Sequence, residues 1–137
     1  MNNEAVQMLK TPKDFWLLCE DDENTSFAHV SATTELWIEI LEIYPVLSRC
    51  VAANKTIPDQ VIELLSKSDD MNVRLKIATK RKLNRTVFER LANDPDPNIR
   101  DRIAYNPKVP NDILEKLCKD SDPIVACSAK RKLVTER

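Results

Sequence analysis

The sequence predicts an all-α fold made of short helices that recur in pairs. Apolar residues repeat in the same order every 26 residues. Within a copy they fall at i, i+1 and i+4 in one segment and at i and i+4 in the next, which are helical spacings. Helix-start signals, with an aspartate or threonine before a proline, return at matching places. Glycine is absent while proline occurs eight times, which disfavours the tight hairpins of an all-β fold.

The N-terminal third, residues 1–44, is predicted to form a helical cap that is rich in acids and aromatic rings. Thr11-Pro12-Lys13-Asp14 is a helix-start signal, with a threonine cap and an acid three positions later. The first helix is expected to run from there to about Cys19. A loop then carries the acidic run at 20–23, and a second helix is expected at about 34–43. We expect these two helices to cover the apolar end of the repeats.

Residues 45–137 are predicted to contain the repeats. The clearest apolar columns are Val61, Val87 and Ile113; Leu65, Leu91 and Leu117; Val73, Ile99 and Val125; and Ile77, Ile103 and Ala129. One unit buries about six large apolar side chains at roughly 1.5–3 kcal/mol each, whereas ordering a unit costs on the order of 40 kcal/mol. Each unit must therefore pack on its neighbours, so the predicted architecture is a short α-solenoid of helix pairs within a single domain, 1–137.

Two phrases of the third unit carry a family resemblance. Residues 94–100 read DPDPNIR and residues 104–117 read AYNPKVPNDILEKL. They resemble the units of the leucine-rich repeat variant family, which read roughly D-P-x-x-x-V-R and A-x-N-P-x-x-P-x-x-[VIL]-L-x-x-L. The resemblance covers about residues 45–133 and implies a right-handed, HEAT-like α-solenoid. Some members hold iron and sulfur with an N-terminal cysteine cluster, but the head here has only Cys19, so no cluster is expected.

Charge and cysteine content narrow the functional classes. Residues 1–48 hold nine acids and two bases, whereas residues 49–137 hold thirteen acids and nineteen bases. The absence of glycine excludes P-loops and glycine-rich dinucleotide turns. The four cysteines form no CxxC pair and are interpreted as reduced core residues of a cytoplasmic protein. No apolar run approaches the ~20 residues of a membrane span, and no secretion signal is recognised at the start.

No catalytic site, metal site or cofactor is expected, and the chain is not expected to be an enzyme. The acidic run at 20–23 lacks the glycine turn and the closing glutamate of a calcium loop. The aspartate pairs 94/96 and 120/122 recur beside proline, which favours helix capping over paired catalytic carboxylates. His29, the single histidine, has no nucleophile pattern around it.

The cations of the body have a structural interpretation and an alternative one. Arg74 and Arg100 share a repeat column, and we expect them to pair with acids of neighbouring units. The basic clusters Lys80–Lys82 and Lys130–Lys132 follow predicted helix ends, where cations complement the helix dipole. Contact with nucleic-acid phosphates is the alternative for these clusters.

The predicted function is the binding of another protein. Small bacterial solenoids with an acidic head resemble immunity proteins of contact-dependent or polymorphic toxin systems, which block one cognate toxin, often a nuclease. Aromatic anchors beside a phosphate-like run of acids would suit the basic active site of such a nuclease. The partner-binding residues predicted on this basis are Phe15, Trp16, Glu20, Asp21, Asp22 and Glu23. The alternatives are a nucleic-acid-binding solenoid and a cytoplasmic adaptor.

Overall fold

A computed structural model describes residues 8–20 and 26–135, and within these ranges the regular structure is helical. The predicted all-α class is confirmed for the described residues. Two short 3-10 turns, Ser26–Ala28 and Pro45–Leu47, join the helices, and an isolated bridge links Met8 with Ser31. The α-helices are α1 (Pro12–Glu20), α2 (Thr34–Ile43), α3 (Ser48–Ala53), α4 (Asp59–Leu65), α5 (Met71–Ala78), α6 (Arg85–Ala92), α7 (Pro97–Tyr105), α8 (Asn111–Leu117) and α9 (Pro123–Thr135).

The chain divides into two compact units, Met1–Leu65 and Ser66–Arg137. The first unit contains α1 to α4, and the second contains α5 to α9. The predicted head and the start of the predicted repeats therefore share one unit. No helix in the described part of either unit is long and apolar enough to cross a membrane.

The first unit is built around α2, which contacts α1, α3 and α4. Its fully buried side chains are large and mostly aromatic or branched: Phe15, Trp37, Ile40, Val51 and Val61. The two helices predicted for the head are confirmed as α1 and α2. Because two aromatic rings fill the centre of this unit, its core differs from the aliphatic columns of the body.

The start of α1 follows the predicted capping pattern. The Thr11 hydroxyl accepts a hydrogen bond from the Asp14 amide at 3.2 Å. In return, the Asp14 carboxylate accepts from the amides of Lys10 at 3.1 Å and Thr11 at 3.0 Å. These amide hydrogen bonds lower the pKa of Asp14, because they favour its charged form. The cap satisfies amides that have no partner within the helix.

The second unit repeats one packing pattern along the chain. Helix α5 packs on α7, α7 packs on α9, and α6 packs on α8. Residues of one sequence column also share their burial. The columns buried throughout are Val73, Ile99 and Val125; Ile77, Ile103 and Ala129; Val87 and Ile113; and Leu91 and Leu117. The 26-residue spacing of the sequence therefore corresponds to equivalent positions on successive helices of this unit.

Two arginines of this unit bridge successive turns. Arg74 donates from Nε and Nη2 to the carboxylate of Asp94 at 2.8 and 3.3 Å, and from Nη1 to the carbonyl of Ser68. Arg100 makes the same three contacts 26 residues later, with Asp120 and with the carbonyl of Asp94. The carboxylates are only 4% and 9% exposed. The expected pairing of these arginines with neighbouring acids is confirmed, and we call this arrangement the arginine ladder.

The aspartate pairs beside proline have two roles and not one. Asp96 caps α7 by accepting from the Asn98 amide at 2.8 Å, and Asp122 accepts from the Ile124 amide at 2.8 Å at the start of α9. The capping interpretation is right for these two residues. It is wrong for Asp94 and Asp120, which belong to the arginine ladder.

Buried amide groups hold the turns that follow the helices. The Asn106 side chain donates to the carbonyl of Lys80 at 2.6 Å and accepts from the amide of Lys108 at 2.9 Å. Asn54 occupies the same sequence column in the first unit and donates to the carbonyl of Val30 at 2.9 Å. Both asparagines are buried. They satisfy backbone groups that would otherwise lose their hydrogen bonds on burial.

Candidate protein-interaction surface

The two predicted aromatic anchors separate into a core residue and a surface residue. Phe15 is wholly buried, and its ring meets Trp37 edge-on with centroids 5.2 Å apart. Trp16 is half-buried and stacks on Tyr44, with centroids 6.3 Å apart and planes at 22°. Phe15 therefore presents no surface to a partner, whereas the Trp16–Tyr44 stack does.

Of the four predicted partner-binding acids, the structure describes one. Glu20 is the last residue of α1 and is exposed. Asp21, Asp22 and Glu23 lie outside the described residues. Trp16 and Glu20 are four residues apart in α1, so they lie on the same side of that helix. The structure thus brings one predicted aromatic and one predicted acid onto a common surface.

A second group of acids lies on α2 and was missed by reasoning from the sequence. Glu35, Glu39 and Glu42 are all exposed, and their spacing of i, i+4 and i+7 places them along one side of the helix. We call these three residues the acidic face. None of them forms an ion pair with another described residue. Their helical spacing was the available signal, but a contiguous acidic run draws more attention than a periodic one.

Exposed aliphatic side chains accompany the acidic face. Ile38 lies within α2 and Ile43 ends it, and they are 37% and 52% exposed. Val46 follows in the 3-10 turn and is 81% exposed. Exposed apolar groups next to charged ones are typical of surfaces that dock on other proteins. The head therefore offers both negative charge and apolar contact area.

The basic clusters of the second unit are partly occupied by contacts of their own. Lys132 donates from Nζ to the carbonyls of Asn106 at 2.9 Å and Tyr105 at 3.4 Å. Lys80 is half-buried, whereas its neighbours Arg81 and Lys82 are exposed. Each cluster therefore combines a lysine held near the backbone with cations that face solvent.

The described residues contain no group of three or more His, Cys, Asp or Glu side chains arranged to hold a metal ion. His29 is exposed, and its amide donates to the Ser26 carbonyl at 3.0 Å. The surface that combines charge, apolar area and exposure is the one formed by α1, α2 and the turn after α2.

Comparison with known proteins adds no assignment to this geometry. No protein-family model matches the chain, no curated protein matches it in sequence, and no solved structure matches it in fold. The resemblance to the leucine-rich repeat variant family stays an expectation that rests on the two quoted phrases.

Proposed function

We propose that this chain is a non-enzymatic binding protein that grips a basic protein partner with its acidic head. The observation that carries this proposal is the acidic face of α2, with three exposed carboxylates and no described cation to neutralise them. Such a field speeds encounter with a positive surface and disfavours negative ones. Nucleic acid is therefore a poor partner for this particular surface.

The anchors for such a partner are the apolar groups beside the acids. Binding energy in protein interfaces concentrates in a few aromatic or large apolar residues, and charges mainly set specificity and association rate. The Trp16–Tyr44 stack offers two large rings that are already ordered by each other. Val46 offers an aliphatic contact at a 3-10 turn. Ordered anchors lose little conformational entropy on binding.

We further propose that the helix pairs form a short right-handed α-solenoid of period 26, and that the head caps it. The contacts of α5 with α7 and of α7 with α9, together with the arginine ladder, support a repeated stack. A stack of this kind is a rigid frame, because each pair is held by its neighbours. A rigid frame keeps a binding surface in one geometry.

The partner class that we favour is a toxin nuclease, with this chain as its immunity protein in the cytoplasm. Nucleases hold phosphates in positively charged sites, and a row of carboxylates on a helix presents negative charges at similar spacing. Covering that site would block the substrate without any chemistry by the inhibitor. The support for this class is the charge of the head and the resemblance described above.

The test uses the nuclease encoded next to this chain in its genome. The variant Glu35→Lys/Glu39→Lys/Glu42→Lys should weaken binding by about tenfold or more and lose inhibition of DNA cleavage. The matched control is Asp69→Lys/Glu89→Lys/Glu115→Lys, which makes the same change in net charge on exposed acids of the second unit. If both variants bind equally well, the acidic face is not the contact. If the unmodified chain neither binds nor inhibits, the immunity role is lost.

A nucleic-acid-binding role is the second candidate, and the positive charge of the body favours it. Residues 49–137 carry six more bases than acids, from nineteen minus thirteen, and Arg81, Lys82, Lys130 and Arg131 are exposed. Binding to duplex DNA or tRNA that weakens steeply with salt would support this role. Failure to bind either one at low salt would eliminate it.

A further inference from the structure

Two cysteines of the first unit meet where α1 passes α3. Cys19 lies in the last turn of α1 and Cys50 lies in α3. Both are free and half-buried, and their thiols are in hydrogen-bonding contact. The residues are 31 positions apart in the sequence, so the fold and not the local chain brings the two sulfur atoms together.

A second contact fixes the same pair of segments. Trp16 precedes Cys19 by three residues and lies on the same side of α1. Its partner Tyr44 precedes Cys50 by six residues, across the turn Pro45–Leu47. The aromatic stack and the thiol pair are thus two successive contacts along one seam. A seam held at two points keeps the sulfur atoms together, which is the main requirement for joining them.

We propose that Cys19 and Cys50 are a reversible oxidation site, which a peroxide converts to a disulfide between α1 and α3. The inference is independent of any binding partner. Cys118 and Cys127 lie in the second unit and provide internal comparisons, since they are also free and Cys127 is exposed.

The reaction balances with one peroxide molecule. One thiolate attacks the O–O bond of hydrogen peroxide, becomes a sulfenic acid and releases the first water. The second sulfur then attacks the sulfenic sulfur, which forms the S–S bond and releases the second water. The two thiol protons end in water, the two sulfur atoms are oxidised, and the peroxide is reduced. A dithiol reductant reverses the bond by exchange.

The environment of the pair makes it a slow site rather than a hair-trigger one. Burial raises the pKa of Cys19, and the neighbouring Cys50 thiol raises it further. At neutral pH Cys19 is therefore protonated, and thiols react poorly in that form. Sustained oxidant, rather than a brief pulse, is the condition under which this bond accumulates.

Closure of the bond would act on the end of α1. Cys19 is followed directly by Glu20, where the acidic run of the head begins. A disulfide would tie this last helical turn to α3 and restrict how the following residues leave the helix. The oxidised and reduced forms would then present the start of the acidic run with different freedom.

The experiment is peptide mapping of the full chain after treatment with hydrogen peroxide. Trypsin cleaves between Arg49 and Cys50, so the bond would join peptide 14–49 to peptide 50–55. We expect this linked pair to be the main cystine product and to disappear on reduction. The intact chain should be lighter by about 2 Da, because two hydrogen atoms are lost as the bond forms.

The matched variants separate this pair from chance oxidation. Cys118→Ser/Cys127→Ser should keep the loss of about 2 Da, whereas Cys19→Ser should abolish it and leave Cys50 to oxidise to the sulfinic acid. A linkage of Cys50 to Cys127 as abundant as that to Cys19 would overturn the proposal. So would sulfinic acid at Cys50 in the unmodified chain with Cys19 still free. The mapping of the unmodified chain decides the matter even if a variant fails to fold.

Discussion

The acids of the second unit and the acids of α2 have opposite surroundings. Asp94 and Asp120 are nearly inaccessible and hydrogen-bonded to arginines that lie twenty residues earlier. Glu35, Glu39 and Glu42 face solvent without a described cation. Charges that recur with the repeat thus hold the frame together, whereas charges that do not recur are left for other purposes. This difference is why we assign the binding role to the head.

A second comparison concerns two identical stretches in different structures. Residues 80–83 and 130–133 both read KRKL, but the first lies in the turn between α5 and α6 and the second continues α9. The first copy follows Thr79, whose hydroxyl donates to the Lys76 carbonyl, and precedes Asn84, which caps α6. No described cap follows the second copy. Flanking cap residues, and not the basic residues themselves, decide between helix and turn here.

The largest effect should separate two neighbouring aromatics of α1. Phe15→Ala should lower the free energy of unfolding of the first unit by about 3–5 kcal/mol, because it leaves a cavity beside Trp37. Trp16→Ala should cost much less, because that ring is only half-buried, but it should weaken partner binding. Both tryptophans lie in the first unit, so tryptophan fluorescence during urea unfolding reports on this unit.

The control for this prediction is the far-UV circular dichroism of Trp16→Ala, which should keep its helical content. Equal losses of stability in the two variants would contradict the division into core and surface residues. Unchanged partner affinity in Trp16→Ala would remove this residue from the proposed contact.

A smaller effect is expected in the arginine ladder. Arg74→Leu should destabilise the second unit by about 2–4 kcal/mol, because it leaves the carboxylate of Asp94 buried without its cation. The double variant Arg74→Leu/Asp94→Leu should recover much of this loss, since it removes the buried charge as well. Thermal unfolding followed by circular dichroism measures both.

The matched control is Arg85→Leu, which breaks ion pairs with Asp112 and Glu89 that are half exposed or more. Exposed ion pairs contribute little to stability, so this variant should unfold near the temperature of the unmodified chain. A loss as large as that of Arg74→Leu would show that exposure does not distinguish the two kinds of pair.

Much of the frame was predictable because the repeat restates each rule. The caps at Asp96 and Asp122, the apolar columns and the arginine column each occur more than once. A single aspartate before proline is ambiguous, but a recurring one is not. What recurrence could not separate was the capping aspartate from the ladder aspartate two residues earlier. That distinction depends on an arginine twenty residues away, which local patterns do not show.

The head was less predictable because nothing in it repeats. Phe15 and Trp16 are adjacent aromatics in one helix, and only the position of Trp37 decides which ring is buried. The acidic face was hidden by the contiguous acids that precede it in the sequence. The contact between Cys19 and Cys50 depends on how α1 and α3 pack, which their 31-residue separation does not reveal.

The ladder also predicts how stability responds to acid. Burial alone would raise the pKa of Asp120, but hydrogen bonds from Arg100 and from the Asp122 amide outweigh it, so the pKa is lowered in the folded chain. The unfolded chain therefore takes up the proton first as pH falls. The contribution of this pair is fully present above the ordinary carboxyl pKa of 3.8 and is lost as pH falls through the folded value.

Urea unfolding of the unmodified chain between pH 7 and pH 3 should show this loss at the acid end. Asp120→Asn should start from lower stability but fall less steeply, because it has no proton to take up at that position. Parallel curves for the two proteins would mean that Asp120 titrates alike in the folded and unfolded chain.

The smallest effect tests whether the second acid of each pair acts by capping or by charge. Asp96→Ala should cost about 1 kcal/mol, because the Asn98 amide loses its acceptor at the start of α7. Asp96→Asn keeps an oxygen at that position and removes only the charge, so it should remain close to the unmodified chain in thermal unfolding. If Asp96→Asn instead loses as much stability as Asp96→Ala, the charge matters more than the cap. Asp96 would then resemble its neighbour Asp94, and the difference between ladder and cap aspartates would disappear.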